Sequence, residues 1–472
     1  LRQFIGTEDR NVMQIFVKDR KFYASLASLA CVIALQNLIS FGVNLADNIM
    51  IGAYSQTALN GVAMVNQIQF LLQMFATGVG NGMVVLASQY WGQRKTEPIR
   101  RIFAVGFWLG ILVSLILSIV TYCFPQPVLS LLTNEGPVIA EGAQYLRIIC
   151  FSYCIFTVST LLLSILRSAE TVHIGFYVSL LSLIVNIGLN NCLIYGRMGF
   201  PEMGIRGAAI ATLAARCLEF AVTVVYALVI DKKIRLRLRD LWQVKASYVR
   251  DFLRTGMPLV LSNTSWGLAM SLQTAIIGRL GEAAISASSI ATAVFQVVSV
   301  FVYGIATASG VVIGKAVGEG RIEAVKQYAR TLQALYLIIG VITSLALFGV
   351  KQFIVDFYKV TPESAKLAHD FLLVLCVTVI GTSYQMSSLT GIVSGGGETK
   401  FVLFNDIIFM WCIVLPASIL SAFVLKLPCV VTFICLKADQ VLKCAVAAVK
   451  VNRFRWIHVL THPETEQPAP AE

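Results

Sequence analysis

Twelve long apolar runs separated by short polar connections leave this chain few ways to fold. They lie near residues 24–50, 60–86, 102–124, 147–166, 174–195, 206–230, 255–278, 284–312, 331–350, 367–392, 401–424 and 429–450. About twenty apolar residues are needed for a helix to cross the hydrocarbon core of a bilayer. In that core the backbone must satisfy its own donors and acceptors, which a helix does. The expectation is an all-α polytopic membrane protein with twelve transmembrane helices. Composition agrees: 57% of residues are hydrophobic and 13% charged, against about 25% charged in soluble domains. The opening stretch from Arg2 to Lys21 is polar and basic and lacks the pattern of a cleaved leader, so it reads as a cytoplasmic tail.

A net charge of +12 invites a nucleic-acid reading, and its distribution removes that reading. Counted over alternate connections, Lys and Arg number 26 on one side and 8 on the other, with Arg216, Lys437 and Lys443 inside the runs. That asymmetry is the positive-inside pattern and predicts both termini in the cytoplasm. The eleven cysteines sit singly in apolar runs, the nearest pair being Cys150 and Cys154. They read as small buried hydrophobes. Four histidines (His173, His369, His458, His462) form no cluster, so no structural metal is expected.

The runs fall into two sets of six. Residues 1–23 form an N-terminal tail, 24–230 a first lobe, 231–254 a cytoplasmic linker, 255–450 a second lobe and 451–472 a C-terminal tail. Gly52, Gly78 and Gly92 meet Gly278, Gly304 and Gly318 at one offset of 226. Glu170-Thr171 meets Glu398-Thr399 at 228. A repeat with an even number of spans restarts on the same side of the membrane, so the lobes should be parallel copies about an axis along its normal. The linker alternates apolar residues with Lys232, Lys233, Arg235, Arg237 and Arg239, which predicts an amphipathic interfacial helix. The Pro- and Glu-rich stretch Thr461–Glu472 reads as a solvated end.

Asp47 is the main functional candidate. It lies several residues inside the first run, where a carboxylate costs a few kcal/mol and should face a bundle interior or a watery cavity. Asn186 and Asn190 are one turn apart in the fifth run, so both amides share a helix face. Buried amides need partners, and Asp47 is the acidic candidate. Gln69 and Gln73 share a face of the second run, as interhelical hydrogen bonders or as substrate contacts. Arg216 and Glu219 are three apart and should neutralise one another. Gly207-Ala208-Ala209-Ile210-Ala211-Thr212 opens the sixth run with small residues that let helices approach closely. At the repeat offset Asp47 faces Gln273, so the second copy lacks the carboxylate.

From about residue 20 to 461 the chain resembles the MATE family (multidrug and toxic compound extrusion). The residues that carry the resemblance are Ala46-Asp47-Asn48-Ile49-Met50-Ile51-Gly52 and Ser88-Gln89-Tyr90-Trp91-Gly92-Gln93. Leu166-Arg167-Ser168, Val185-Asn186-Ile187-Gly188-Leu189-Asn190 and the small-residue stretch Gly207 to Thr212 complete them. The resemblance implies a V-shaped pair of six-helix lobes in the plasma (inner) membrane, acting as a monomer. Such a protein exports amphipathic organic cations against an inward flow of H⁺ or Na⁺ and needs no cofactor. The family's first-lobe cation site maps onto Asp47, Asn186, Asn190, Ala208 (through its carbonyl) and Thr212; a Na⁺ would sit at Asp47, Asn186, Asn190 and Thr212. The substrate cavity would draw on Asn44, Gln69, Gln73, Asn263, Trp266, Gln273 and Tyr384. Two departures stand out. Some relatives have aspartate at the position of Asn190. Others carry second-lobe acids where this chain has Trp266 in span seven and Ser383-Tyr384-Gln385 in span ten, which concentrates the coupling role on Asp47.

One buried carboxylate can take a proton, hold Na⁺ with amides and a hydroxyl, or attract an organic cation, and two of these at once are hard to reconcile. Antiport requires that exclusion. The gradients suffice, at about 2.3 kcal/mol per charge per 100 mV and about 1.4 kcal/mol per pH unit. A flippase for a lipid-linked sugar or similar amphiphile is the alternative; it would want a basic cavity, and Arg216 is paired with Glu219. An intramembrane enzyme is disfavoured, because the spans hold no aspartate-rich metal motif, His-Glu pair or nucleophile elbow.

Overall fold

A computed structural model describes residues 16–358 and 360–462. Most of the tails, 1–15 and 463–472, and Lys359 lie outside the described residues, and with them most of the expectations for the two termini. The described residues form twelve helical rods. They are α1 (Arg20–Tyr54), α2 (Gln56–Gly92), α3 (Thr96–Cys123), α4 (Gly136–Ile149 and Ser152–Ser168), α5 (His173–Tyr195), α6 (Gly204–Ile230) and α7 (Met257–Gly278). After them come α8 (Glu282–Gly318), α9 (Ile322–Phe357), α10 (Pro362–Val393), α11 (Thr399–Val424) and α12 (Cys429–Lys437 and Asp439–Asn452). Nine are long and apolar enough to cross a membrane singly, and the two pieces of α4 qualify together across a 55° bend. Rods of 35 to 37 residues, such as α1, α2, α8 and α9, exceed the roughly twenty that hydrocarbon requires.

Local chemistry sets the joints. Ser55 alone separates α1 from α2: its extended backbone ends the first helix, and its hydroxyl accepts from the Ala58 N–H at 3.3 Å to start the second. That is the donor-satisfying role an N-cap serine plays. Gly196, at φ +65°, closes α5 in the left-handed conformation that glycine adopts without strain.

The glycines at the repeat offset make reciprocal contacts. A Cβ on Gly78 of α2 would stand 2.7 Å from the Cα of Val260 on α7, and one on Gly304 of α8 would stand 3.2 Å from Ala34 Cβ on α1. Val260 and Ala34 are themselves 226 apart. Gly92 abuts the Lys315 carbonyl, and Gly318 abuts the Gln89 carbonyl; Lys315 and Gln89 are again 226 apart. In a two-fold interface, residue i touches j and j touches i, so these pairs identify two parallel six-helix lobes related by rotation. The lobes exchange packing as well. Phe22, Leu26 and Ile33 of α1 join a core with Ile313 of α8 and Tyr336 of α9, and Phe22 stacks on Tyr328 at 4.3 Å.

These contacts lie in the half of the bundle that ends at one face, the terminal face, where both described chain ends also lie. Two bridges cross between the lobes there. In one, Glu170, in the turn after α4, accepts from Lys315 Nζ of α8 at 2.7 Å, Trp91 Nε1 at 3.3 Å and Ser25 Oγ at 3.2 Å. Burial alone would raise this carboxyl, but the Lys315 ammonium and the Trp91 and Ser25 donors prevail and hold it below its ordinary range. In the other bridge, the segment after α12 runs across the face as a strap. Trp456 is buried against Gly396, His458 N donates to Gly396 O at 2.8 Å, and the His458 ring lies 2.6 Å from Glu398. Gln89 of α2 then donates to His458 O at 3.0 Å and accepts from Leu460 N at 2.8 Å. Thr461 and His462, expected to be solvated, are tied to Gln93 at 2.6 Å and Asp251 at 2.6 Å. Composition alone could not foresee this, because the partners come from tertiary packing.

The linker is not one amphipathic helix. Ile234 and Leu236 are buried in the first-lobe core, one short turn forms at Leu238–Trp242, and from Ala246 the chain is already helical, running through Phe252–Gly256 into α7. Trp108 of α3 donates to Leu241 O at 2.8 Å, and Arg101 to Gln243 O at 2.8 Å. These side-chain bonds hold the backbone in place of a helix. The cysteines also depart from expectation: Cys150 and Cys376 are buried, whereas Cys31, Cys123, Cys217 and Cys412 face outward from the bundle.

Candidate functional site: a carboxylate at the head of an amide ladder

Asp47 lies seven residues before the end of α1, about 10 Å from the far end at 1.5 Å per residue. It is buried. Asn190 Nδ2 donates to Asp47 Oδ1 at 2.5 Å and to Asn186 Oδ1 at 3.2 Å, and Asn186 Nδ2 donates to Thr212 Oγ1 at 3.4 Å. The ladder therefore runs from Thr212 on α6 through two amides on α5 to the carboxylate on α1. Both amides are fully buried, and their i, i+4 spacing stacks them on one face. Ala208 is buried one turn before Thr212 and packs with Ile205 and Ala209 in the apolar cluster beside the site. The buried Asn190 Oδ1 has no hydrogen-bond partner.

A narrow cavity opens on the carboxylate, lined by Asn44, Asn66, Gln69, Tyr145, Thr212 and Arg216 around Asp47. Asn44 and Gln69, both named as cavity candidates, lie in this wall. Asn66, Tyr145 and Arg216 were not foreseen in this role. Arg216 pairs with Glu219 at 2.8 Å as expected, yet it also contributes to the wall of the Asp47 cavity. Asn66 could have been found from its position three residues before Gln69, on the same face.

The remaining cavity candidates lie elsewhere. Gln73 is exposed one turn beyond Gln69. Asn263 donates to Leu259 O of its own helix at 2.8 Å. Trp266 packs across the lobe interface against Phe70, ring centres 6.4 Å apart. Gln273 is buried with its amide directed at Met410 Sδ, 3.3 Å away. Tyr384 donates to Gln333 at 2.7 Å and links α10 to α9. None of these residues lines the Asp47 cavity.

The second lobe is not devoid of buried acid, as the emptiness of spans seven and ten suggested. Lys443 Nζ of α12 lies 2.9 Å from Asp406 Oδ1 of α11 and 3.6 Å from Asp439 Oδ2 of α12. Ser262 of α7 donates to Asp406 Oδ2. The i, i+4 spacing of Asp439 and Lys443 was a readable signal, as was Asp406 as the one charge in its apolar run; the pairing between the two helices was not.

The family sequence model described as MatE matches residues 33–191 and 258–420, more than half of the chain. A probable multidrug resistance protein NorM from Listeria monocytogenes is 25% identical over 390 residues, covering 82% of this chain and 85% of its own. Its Thermotoga maritima namesake is 24% identical over 432 residues, with 89% and 90% covered. An uncharacterized transporter of Bacillus subtilis, YisQ, is 23% identical over 400 residues, covering 84% and 87%. Among solved structures, MATE in the bent conformation superposes with a TM-score of 0.82 at 18% identity, over 92% of this chain and 96% of the other. An outward-facing multidrug resistance MATE family transporter gives 0.80 at 20%, over 91% and 96%. At that identity the likeness speaks for the fold, and it agrees with the two six-helix lobes described above. With a family model spanning both lobes, the chain belongs to the MatE family, whose members are membrane transporters and not enzymes.

Proposed function

We propose that the protein is a secondary antiporter that exports amphipathic organic cations in exchange for H⁺ or Na⁺, with Asp47 as the coupling carboxylate. The observation that carries this reading is the ladder from Thr212 through Asn186 and Asn190 to Asp47, opening on a cavity between α1, α2, α4 and α6. A carboxylate held by donors is ready for a cation, and Asn190 Oδ1 and Thr212 Oγ1 add oxygens suited to a hard ion. When a proton occupies Asp47 instead, rotation of the Asn190 amide offers an acceptor in place of a donor. Each occupant changes which ladder bonds are made, and so supplies the differential free energy that a change of state requires. Relatives named as multidrug resistance proteins support the substrate class.

On this reading the termini and the strap are cytoplasmic, and the lobe contacts gathered at the terminal face close the path on that side of a plasma membrane. On the same reading the protein works as a monomer. The test is exchange in reconstituted vesicles, with a fluorescent organic cation inside and a pH gradient imposed in Na⁺-free buffer, then a Na⁺ gradient at constant pH. One of the two gradients should drive transport. Asp47→Asn should reduce it to the level of protein-free vesicles while the protein stays folded. Wild-type rates in that variant would remove Asp47 from the mechanism.

A further inference from the structure

The second lobe holds two carboxylates and an ammonium that the reading of Asp47 does not use. Asp439 and Lys443 are almost wholly buried, at 2% and 4% side-chain exposure, and Asp406 is 25% exposed. Asp406 has both oxygens engaged, one by Lys443 and one by Ser262. Asp439 Oδ2 accepts from Gln440 Nε2 at 2.9 Å and faces Lys443. Asp439 Oδ1 is buried without a partner. Lys437, the other cation on α12, is turned to the rings of Phe295 and Phe433, 5.0 and 5.8 Å from their centres. From α10, Tyr384 is spent on Gln333, and Cys444 of α12 donates to Gly381 and Gln440 carbonyls. Among the described residues, no other charged side chain makes an ion pair with the three.

The triad therefore carries one more negative charge than positive. A buried carboxylate oxygen that no protein donor reaches is costly, and a proton or other cation relieves it. The Lys443 ammonium already fills the space between the carboxylates, so a metal ion would have to evict it. A proton needs no such room.

We propose that Asp406, Asp439 and Lys443 form a second proton-exchange site, in which Asp439 takes the proton and Asp406 is the member nearest the surface. The proton adds to Asp439 Oδ1 and neutralises that carboxylate; no other bond is made or broken. Lys443 then keeps a single anionic partner, Asp406. The consequence passes to three helices. Asp439 begins the second piece of α12, directly after the joint at Ala438. Asp406 stands just before the π-helical segment Ile408–Val414 of α11. Gln440, bonded to Asp439, accepts from Gln385 at 2.8 Å, just before the π-helical segment Ser387–Val393 of α10. Such segments are local departures from α-helical register and frequently accompany functional sites. The site thus sits where α10, α11 and α12 can each shift.

This inference rests on the antiport reading only in adding a second exchanged proton to the cycle; proton binding itself is testable without transport. The test is infrared difference spectroscopy of the full chain in lipid, lowering the pH from about 8 to about 5. The readout is the carbonyl band of a protonated carboxylic acid in a site that exchanges slowly with D₂O. In Asp47→Asn a slow-exchanging band equivalent to one carboxyl should persist, and in Asp47→Asn/Asp439→Asn it should be lost. Lys443→Met should move its midpoint. Absence of the band from Asp47→Asn, or its survival in the double variant, overturns the proposal. Should the double variant fail to fold, Asp47→Asn alone still decides whether a second buried acid titrates. Wild-type vesicles that exchange nothing would instead defeat the antiport reading and leave the band standing.

Discussion

The two lobes share a backbone and differ in where they keep charge. The first lobe places its carboxylate near the far end, on α1, under an amide ladder from α5 and α6. The second places its acids and lysine on α11 and α12, with Asp406 only seven residues from the terminal end of its helix, about 10 Å. At the repeat offset of 226 Asp47 becomes Gln273, and at 228 Asn186 and Asn190 become Val414 and Ser418. In the other direction Asp406 becomes Val178. The glycines show the opposite behaviour, since Gly78 with Gly304 and Gly92 with Gly318 make the same close contacts in both copies. Backbone contact is steric and must be met in both lobes for the interface to close. A charge in hydrocarbon costs free energy wherever it stands, and here each is kept in one copy only.

If the lobes were chemically interchangeable, moving the carboxylate would move the function. Asp47→Asn/Gln273→Asp should therefore remain at vesicle background, because Val414 and Ser418 offer the new acid no amide. Gln273→Asp alone should cost about 3 kcal/mol of stability as an unpaired buried charge, read as a lowered midpoint of thermal unfolding in detergent. Adding Ser418→Asn should recover about 1 kcal/mol, the worth of one hydrogen bond. Restored exchange in the first variant would mean that the ladder is dispensable.

Lys443→Met leaves two carboxylates facing each other without their shared cation. Removing one partner of a buried pair costs about 3–5 kcal/mol, whereas Lys326→Met, on an exposed pair with Glu323, should be nearly neutral. Equal effects in unfolding assays would show that the triad is no more than a surface-like ion pair.

The shared interface gives a smaller and symmetric prediction. Gly92→Ala and Gly318→Ala each drive a methyl into a backbone carbonyl of the other lobe, an overpacking penalty of about 1–3 kcal/mol. The two should lower the midpoint of thermal unfolding in detergent alike. A large difference between them would break the two-fold description.

Much of this was legible in the sequence, and the reasons are local. Span positions follow from hydropathy, and the Asn186–Asn190 pair follows from helical spacing. The offset of 226 could be read from three glycine pairs, and close cross-lobe contact accounts for two of them, Gly78 with Gly304 and Gly92 with Gly318. Asp406 could have been marked as the one charge in its apolar run, but its partner was not legible, since Lys443 stands 37 residues away on another helix. The end of the strap was misread because Thr461 and His462 look solvated until Gln93 and Asp251 are brought to them. The individual contacts of Trp266 with Phe70 and of Gln273 with Met410 were not legible either, because each joins residues far apart in the chain.

The smallest expected effect separates the two bridges of the terminal face. Glu170 is held below its ordinary range, since Lys315, Trp91 and Ser25 outweigh its burial. A carboxylate lowered in the folded state contributes stability above its unfolded value of about 4.3, and loses it as pH falls through the folded value. Glu170→Gln should therefore destabilise by about 1–2 kcal/mol at neutral pH. The gap from wild type should close in strong acid. A gap that stays constant with pH would assign the effect to packing.

The strap has a consequence for how the protein is made. Gln89 leaves the ribosome 369 residues ahead of His458, the first of its two strap partners. At roughly 5–20 residues per second, that interval is about 20–70 s. Throughout it the first lobe can be inserted and packed while its side of the second bridge has nothing to hold. The Glu170–Lys315 bridge forms earlier, as soon as α8 emerges. A nascent chain halted after α12 would thus carry both lobes, the ladder and the triad, yet hold its terminal face by one bridge, and closure becomes the last property the protein acquires.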